Sequence, residues 1–329
     1  MRKLILVFTF IIVLILGQLA VFGAETVELK IATILPEDSE LGKSIKLFKN
    51  LTEERSKGEI EVVPYFSAVL GDEKSVVEQL STGDIEMNVG GSGIIDWHAP
   101  EYSISSVPFM YESGIKVMEM MNKIIDERIR DLIIERVGAR ILGGSLRAPR
   151  NLLTVDRRVL HPEDVKGLPM RLPPYPSWIK AWEALGAHPT SIPAAEQFSA
   201  MQMGVVDATE NPVSVLYSLH LYEPCKYLIL TEHLHELRIW SISEKFYQKM
   251  SDKHKKIIND SAAEAIDWLT QRNIESEQEY IVKLQEEGVQ VVIPNQKEFR
   301  EKMKPIIDDV TSDWAPGIFE EYVKPFLEE

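Results

Sequence analysis

A single cysteine, Cys225, in 329 residues excludes an internal disulfide, so the folded chain must hold together through its core alone. Basic residues are in deficit as well: 36 lysines and arginines against 51 aspartates and glutamates leave a net charge of −15. Such acidity argues against a nucleic-acid partner and against an anionic membrane surface. It also means that an anionic ligand would be repelled by the bulk charge, so a few well-placed arginines would have to supply the attraction. Catalytic signatures are missing too. There is no G-x-G-x-x-G or Walker sequence, no H-E-x-x-H, and the glycines of Gly90-Gly91-Ser92-Gly93 do not have the G-x-S-x-G spacing of a nucleophile elbow. Seven histidines are scattered, no paired-carboxylate motif stands out, and Glu232-His233-Leu234-His235 lacks the spacing and the third ligand of a metal site. No cofactor or metal is expected. Neither an internal repeat nor a low-complexity linker occurs.

What the chain does have begins with Arg2 and Lys3, followed by an apolar run from Leu4 to Leu16 and then small residues, the layout of a cleavable secretory signal over residues 1–23. The run is too short for a membrane span. Cleavage would bring the net charge from −15 to −17 and leave about 305 residues, at 45% hydrophobic composition enough for two lobes. Strand, helix and strand alternate from Val27 to Val89: VELKIATIL, a helix ended by Gly58, Ile60–Phe66, a helix over 73–82 closed by Gly83, then Ile85–Val89. That order implies parallel pairing with right-handed crossovers in an open α/β sheet, with ligands beyond the carboxyl ends of the strands. Of those ends the Gly90–Gly93 run allows close approach and Ser92 offers a hydroxyl; a plain turn is the alternative.

A helix over about 115–136 and a strand over 140–146 lead to Arg147-Ala148-Pro149-Arg150-Asn151, where the chain is expected to enter the second lobe. Met170-Arg171-Leu172 is a short strand, and Pro173, Pro174 and Pro176 delay the next helix until Ser177 can cap it. Trp178, Trp182 and Leu185 form its apolar face up to Gly186. A short helix over 194–203 precedes a strand that turns at Asn211-Pro212, and strands follow over 226–230 and 237–243. A long helix from Ser251 to about Glu287 carries Ile258, Ala262, Ala265 and Leu269 on one face. A last strand and a helical tail broken at Pro305 and at Ala315-Pro316-Gly317 close the chain. Lobes joined by strands and a long helix suit a hinge.

Three stretches, VPYFSAVLGDEKSVVEQLSTGDIEM, HPEDVKGLPMRLP and LGAHPTSIPAAEQFSAMQMGVVDATENP, occur in the order and at the spacing of the solute-binding proteins of tripartite ATP-independent periplasmic (TRAP) transporters, and the chain resembles this DctP-like family over nearly its whole length after the leader. The resemblance implies a two-lobed, type II-like periplasmic binding protein fold with a long lobe-spanning helix and the ligand in the cleft between lobes. It places lobe I at 24–148 plus about 237–276, lobe II at 149–236 plus about 277–304, and a C-terminal helical segment at 305–329. It further implies a monomeric, non-enzymatic periplasmic protein that hands a small organic acid, such as a C4-dicarboxylate or sugar acid, to membrane permease subunits. Ala208, where the family often has glycine, and the proline-rich PPYP are departures that bear on pocket shape.

Within that frame Arg171 is the first ligand-binding candidate: a guanidinium fork matches a carboxylate bidentately, and the family grips its ligand at this place. Pairing to Asp207 or Glu210 is the structural alternative. Arg150 is the second, in a place where many members carry another ligand-facing arginine, although Arg147 could take that role. Asn211 can both donate to and accept from a hydroxy acid, or simply make an Asx-Pro turn. Tyr175 and Trp240 are the aromatics expected at the cleft wall, and Ser92 the hydroxyl. Sensing for a receptor uses the same features, whereas an exported enzyme would need a catalytic constellation that is not present in the sequence.

Overall fold

The computed structural model describes residues 26–328, so the proposed leader lies outside the described residues. The strands are β1 (Val27–Ala32), β2 (Ile60–Tyr65), β3 (Met87–Gly90), β4 (Ala139–Leu146), β5 (Arg150–Thr154) and β6 (Pro169–Leu172). They continue with β7 (His188–Ser191), β8 (Ala208–Pro212), β9 (Tyr227–Leu234), β10 (Leu237–Ser243) and β11 (Gln290–Val292). These strands form two sheets, of order β2-β1-β3-β10-β4 and β11-β9-β5-β8-β6-β7. In the first, β1 runs parallel to β2 and β3, as the strand–helix alternation requires, while β10 enters antiparallel between β3 and β4. The start of β10 is thereby laid beside the carboxyl end of β3, at the edge where such sheets bind ligands.

Helices cover the sheets. Glu40–Ser56 is capped by the Ser39 hydroxyl, which accepts from the Gly42 amide at 3.0 Å, and it buries Leu41, Ile45 and Phe48 against β1 and the long helix. The Glu73–Thr82 helix is capped by Asp72 and ends at Gly83, whose φ of 83° needs no Cβ. The helix expected over 115–136 is present from Gly114 to Val137 but passes through a π turn at Ile125–Ile129. Pro176, not Ser177, starts the helix ending at Ala184: it occupies the first turn, where its missing N–H goes unneeded, and Tyr175 is the cap position. Likewise Pro305 does not break the tail. The Gln296–Val310 helix runs through it, holding Phe299 and Met303 fully buried on the second lobe, and burial of such side chains contributes roughly 1.5–3 kcal/mol each.

The lobes are joined three times. β4 passes into β5 through Arg147–Pro149, β9 returns into β10 through His235 and Glu236, and the two connectors run side by side, the Arg147 amide donating to the Glu236 carbonyl at 3.1 Å. The third link is the helix Asp252–Glu286. Ile258, Ala262, Ala265 and Leu269 join the first lobe's core, and Tyr280, Ile281 and Leu284 join the second lobe's. Between them the apolar stripe gives way to buried Asn273 and Ser276, because there the helix faces connector backbone: Asn273 Nδ2 donates to the Leu146 carbonyl at 2.8 Å and Thr270 Oγ1 accepts from the Leu146 amide at 3.1 Å. No helix among the described residues is long and apolar enough to cross a membrane.

Candidate functional site

A cavity open to solvent lies where the connectors meet the carboxyl ends of β1, β3 and β6. Four arginines point to it: Arg147 and Arg150 from the first connector and the start of β5, Arg171 from β6, and Arg238 from β10. All are buried. Their partners differ, and with them their chemistry.

Arg150 is consumed by the protein. Its Nε and Nη2 donate to the Glu210 carboxylate, the latter at 2.7 Å, and Nη2 also reaches the Glu210 carbonyl at 2.9 Å. Its Nη1 donates to Glu236 Oε1 at 2.7 Å, and the guanidinium stacks 4.7 Å from the Trp178 ring centre. Although burial works against its charge, Glu210 and Glu236 hold its pKa above the ordinary value. Arg150 therefore forms the floor of the cavity. Arg147 gives Nη1 to the same Glu236 oxygen and Nη2 to Asn211 Oδ1 at 3.4 Å, while its Nε is buried without a partner. Burial, together with the neighbouring Arg238, pushes its pKa down to about 9, still cationic at neutral pH.

Arg171 is different. Its Nε donates to the Ile192 carbonyl at 2.7 Å, which fixes the plane of the guanidinium, and it makes no ion pair with Asp207, Glu210 or any other described acid. Neither terminal nitrogen has a described hydrogen-bond acceptor, and the residue lines the cavity. Burial lowers its pKa to about 10, so the charge persists.

Arg238, which sequence reasoning passed over, is 5% exposed, and no described residue accepts a hydrogen bond from its guanidinium. Its sign in the sequence is a lone charge in the otherwise buried strand LRIWSIS.

The other candidates separate cleanly. Asn211 lines the cavity from β8, and Tyr175 does so with its ring between Trp97 and Trp178, at centroid distances of 5.5 and 4.9 Å. Trp97 closes one side, its indole N–H donating across the lobes to the Pro174 carbonyl at 3.1 Å. Trp240, expected at the wall, is instead fully buried in the first lobe's core against Phe48, because its face of β10 is covered by the helix carrying Phe48. Ser92 is also behind the wall. Its hydroxyl donates to Asp96 at 2.5 Å and lies 3.3 Å from Glu236. The glycines beside it make room for protein rather than ligand: a Cβ on Gly93 would sit 2.8 Å from the Tyr175 hydroxyl, and one on Gly90 2.7 Å from Glu73 Oε1.

Glu73 accepts from the Gly91 amide at 2.6 Å and lines the cavity; burial, and to a lesser degree Glu236, raise its pKa against the pull of Arg238. His233 serves structure, its Nε2 facing Glu210 at 3.3 Å and its ring packed on Trp182 and Phe109.

Asp96 gives a pH-dependent prediction. Burial pushes its carboxyl from 3.8 up to about 6 despite the Ser92 and Ser106 hydroxyls that donate to it, a penalty on the ionised form of roughly 3 kcal/mol. Because the folded-state value is raised, the associated stability is present below pH ~4 and lost as the pH rises through ~6. Asp96→Asn is expected to melt several degrees above the wild type at pH ~8 and with it at pH ~4. Equal melting at the higher pH would show that the serine hydroxyls fully offset burial.

Residues 31–313 match the model of the bacterial extracellular solute-binding proteins, family 7 (DctP). The chain is 29% identical over 270 residues to the sialic acid-binding periplasmic protein SiaP of Vibrio cholerae, covering 82% of this chain and 84% of that one. It is 27% identical over 250 residues to the 2,3-diketo-L-gulonate-binding periplasmic protein YiaO of Escherichia coli, covering 75% of each. Among solved structures it is similar to a TRAP periplasmic solute-binding protein of Roseobacter denitrificans with bound L-galactonate (TM-score 0.80, 26% identity, 88% of this chain and 99% of that one). A second, from Ochrobacterium anthropi with bound L-fuconate, has TM-score 0.84 and 26% identity over 90% and 98% of the two chains.

Proposed function

Since the chain belongs to the DctP family of bacterial extracellular solute-binding proteins, whose members are the periplasmic substrate-binding components of TRAP transporters and not enzymes, we propose that it captures a small hydroxylated organic acid through Arg171 and presents it to the membrane permease subunits. The observation that carries this reading is that Arg171 lines the cavity with no described acceptor on its terminal nitrogens, while Nε is pinned to Ile192. A carboxylate placed there takes two parallel charge-assisted bonds, each contributing roughly 1.5–3 kcal/mol when desolvated. Asn211, whose Oδ1 already accepts from Arg147, has its amide N–H groups for a ligand hydroxyl, and Tyr175, Trp178 and the prolines supply the apolar wall.

Residues of both lobes line the cavity, so an acid bound to both stabilises the closed form by its differential affinity, and the permease reads that form. The lobes, divided at about residues 148 and 236 and again within the long helix, would close about the paired connectors. The protein is read as a monomer, exported by its leader to the periplasm. The bound galactonate and fuconate of the similar structures favour aldonate-like acids as the ligand class.

A melting-temperature screen of the mature protein, unfolded and refolded to strip carried-over ligand, tests this. An acid at about a thousandfold its Kd adds roughly 4 kcal/mol. A rise with sugar acids and none with the corresponding neutral sugars is the expected result; no rise with any acid would remove the capture reading.

A further inference from the structure

A buried polar group without a hydrogen-bond partner is uncommon in a folded protein and calls for a reason. Gln197 is such a case. It opens the short helix Gln197–Gln202, is 1% exposed, and lines the cavity. Half of its amide is satisfied, since Oε1 accepts from the Thr209 hydroxyl at 3.1 Å. The other half is not: Nε2 is buried with no hydrogen-bond partner among the described residues. A buried donor left unmade costs more than an ordinary bond contributes, so a cavity wall that keeps one is suited to an acceptor that arrives with the ligand.

The sheet sets this amide beside Arg171. β6 and β8 run parallel with Met170 opposite Ala208, so the next residue on each strand, Arg171 and Thr209, leaves the same face of the sheet. The chain between these strands crosses that face: the Ile192 carbonyl accepts from Arg171 Nε at 2.7 Å, and Gln197 then meets Thr209. Asn211 leaves β8 on the same face, one step further along. A carboxylate held by the Arg171 fork therefore has Gln197 as its near neighbour, ahead of Asn211.

We propose that Gln197 is a specificity-determining residue: its amide donates to an oxygen on the carbon next to the carboxylate held by Arg171, and so favours acids that are oxygenated at that carbon over acids with a bare methylene there. This rests on the capture of an acid at Arg171 and adds to it the recognition of the neighbouring carbon. A methylene at that place leaves the Nε2 donors buried and unpaired, and a site built to bond an oxygen discriminates strongly against a ligand that lacks it. A hydroxyl and a carbonyl oxygen both accept, so either satisfies Gln197.

Calorimetry on refolded protein with gluconate and 2-deoxygluconate, and with galactonate and 2-deoxygalactonate, tests the proposal. The wild type is expected to bind the hydroxylated member of at least one pair about tenfold or more tighter than its 2-deoxy partner. In Gln197→Met that ratio is expected to fall to within about threefold of unity, through weaker binding of the hydroxylated acid alone. A loss shared by both members, with the ratio kept, would make Gln197 a structural part of the wall and overturn the proposal. So would equal binding within both pairs by the wild type, an outcome that needs no variant and leaves capture at Arg171 standing. Binding of none of the four acids would overturn both readings.

Discussion

Arg171→Ala is expected to reduce acid binding by two orders of magnitude or more in calorimetry while leaving the fold intact. The substitution removes both ligand-facing donors, a loss of about 3–6 kcal/mol for a bidentate charge-assisted pair. The protein itself gives up only one bond, from Nε to the Ile192 carbonyl, and it also sheds a buried cation, so the ligand-free melting temperature should move little. Arg171→Lys is the sharper variant. It keeps the charge but presents a single point donor that cannot reproduce the fork, and a tenfold to hundredfold loss is expected. Affinity within threefold of the wild type in Arg171→Ala would sink the clamp.

Glu236→Ala should have the largest effect on stability. Glu236 is completely buried and takes donors from both Arg147 and Arg150 at the point where the connectors run side by side. Its removal leaves two buried guanidiniums short of a partner, a cost of about 3–5 kcal/mol, or roughly 5–8 °C in Tm for a chain of this size. Burial alone would raise the Glu236 pKa, but Arg147, Arg150 and Arg238 bring it below the ordinary carboxylate value. The contribution is therefore present above pH ~4.5 and lost as the pH falls through the folded-state value, so the gap between variant and wild type should narrow in acid. A variant that melts within a degree or two of the wild type at neutral pH would mean that the network reorganises without Glu236.

Elements were legible where local chemistry decides them. The Glu73–Thr82 helix follows from Asp72 at its cap and Gly83 at its end, and the strand over 237–243 lies where the sequence places it. The misses came where tertiary packing overrides a local rule. Pro305 stays inside a helix because Phe299 and Met303 are anchored in the second lobe's core. Trp240 was read as a wall residue from its place in a strand, but which face of a strand meets a cavity depends on the helix that covers the other face.

The order of elements, the acidic surface with its few arginines, the membership of the family and the strand bearing Arg171 were all determined by the sequence itself, because each depends on neighbours a few residues away or on motif spacing. Which arginine is free to meet a ligand was decided only by the tertiary structure. A guanidinium's role depends on what accepts its N–H groups, and those acceptors come from remote positions: Glu210 lies 60 residues from Arg150, and Glu236 lies 86 from Arg150 and 89 from Arg147. Four arginines look alike in sequence. Once folded, buried carboxylates take up Arg147 and Arg150, a carbonyl fixes the orientation of Arg171, and Arg238 lines the cavity with no described hydrogen-bond acceptor on its guanidinium.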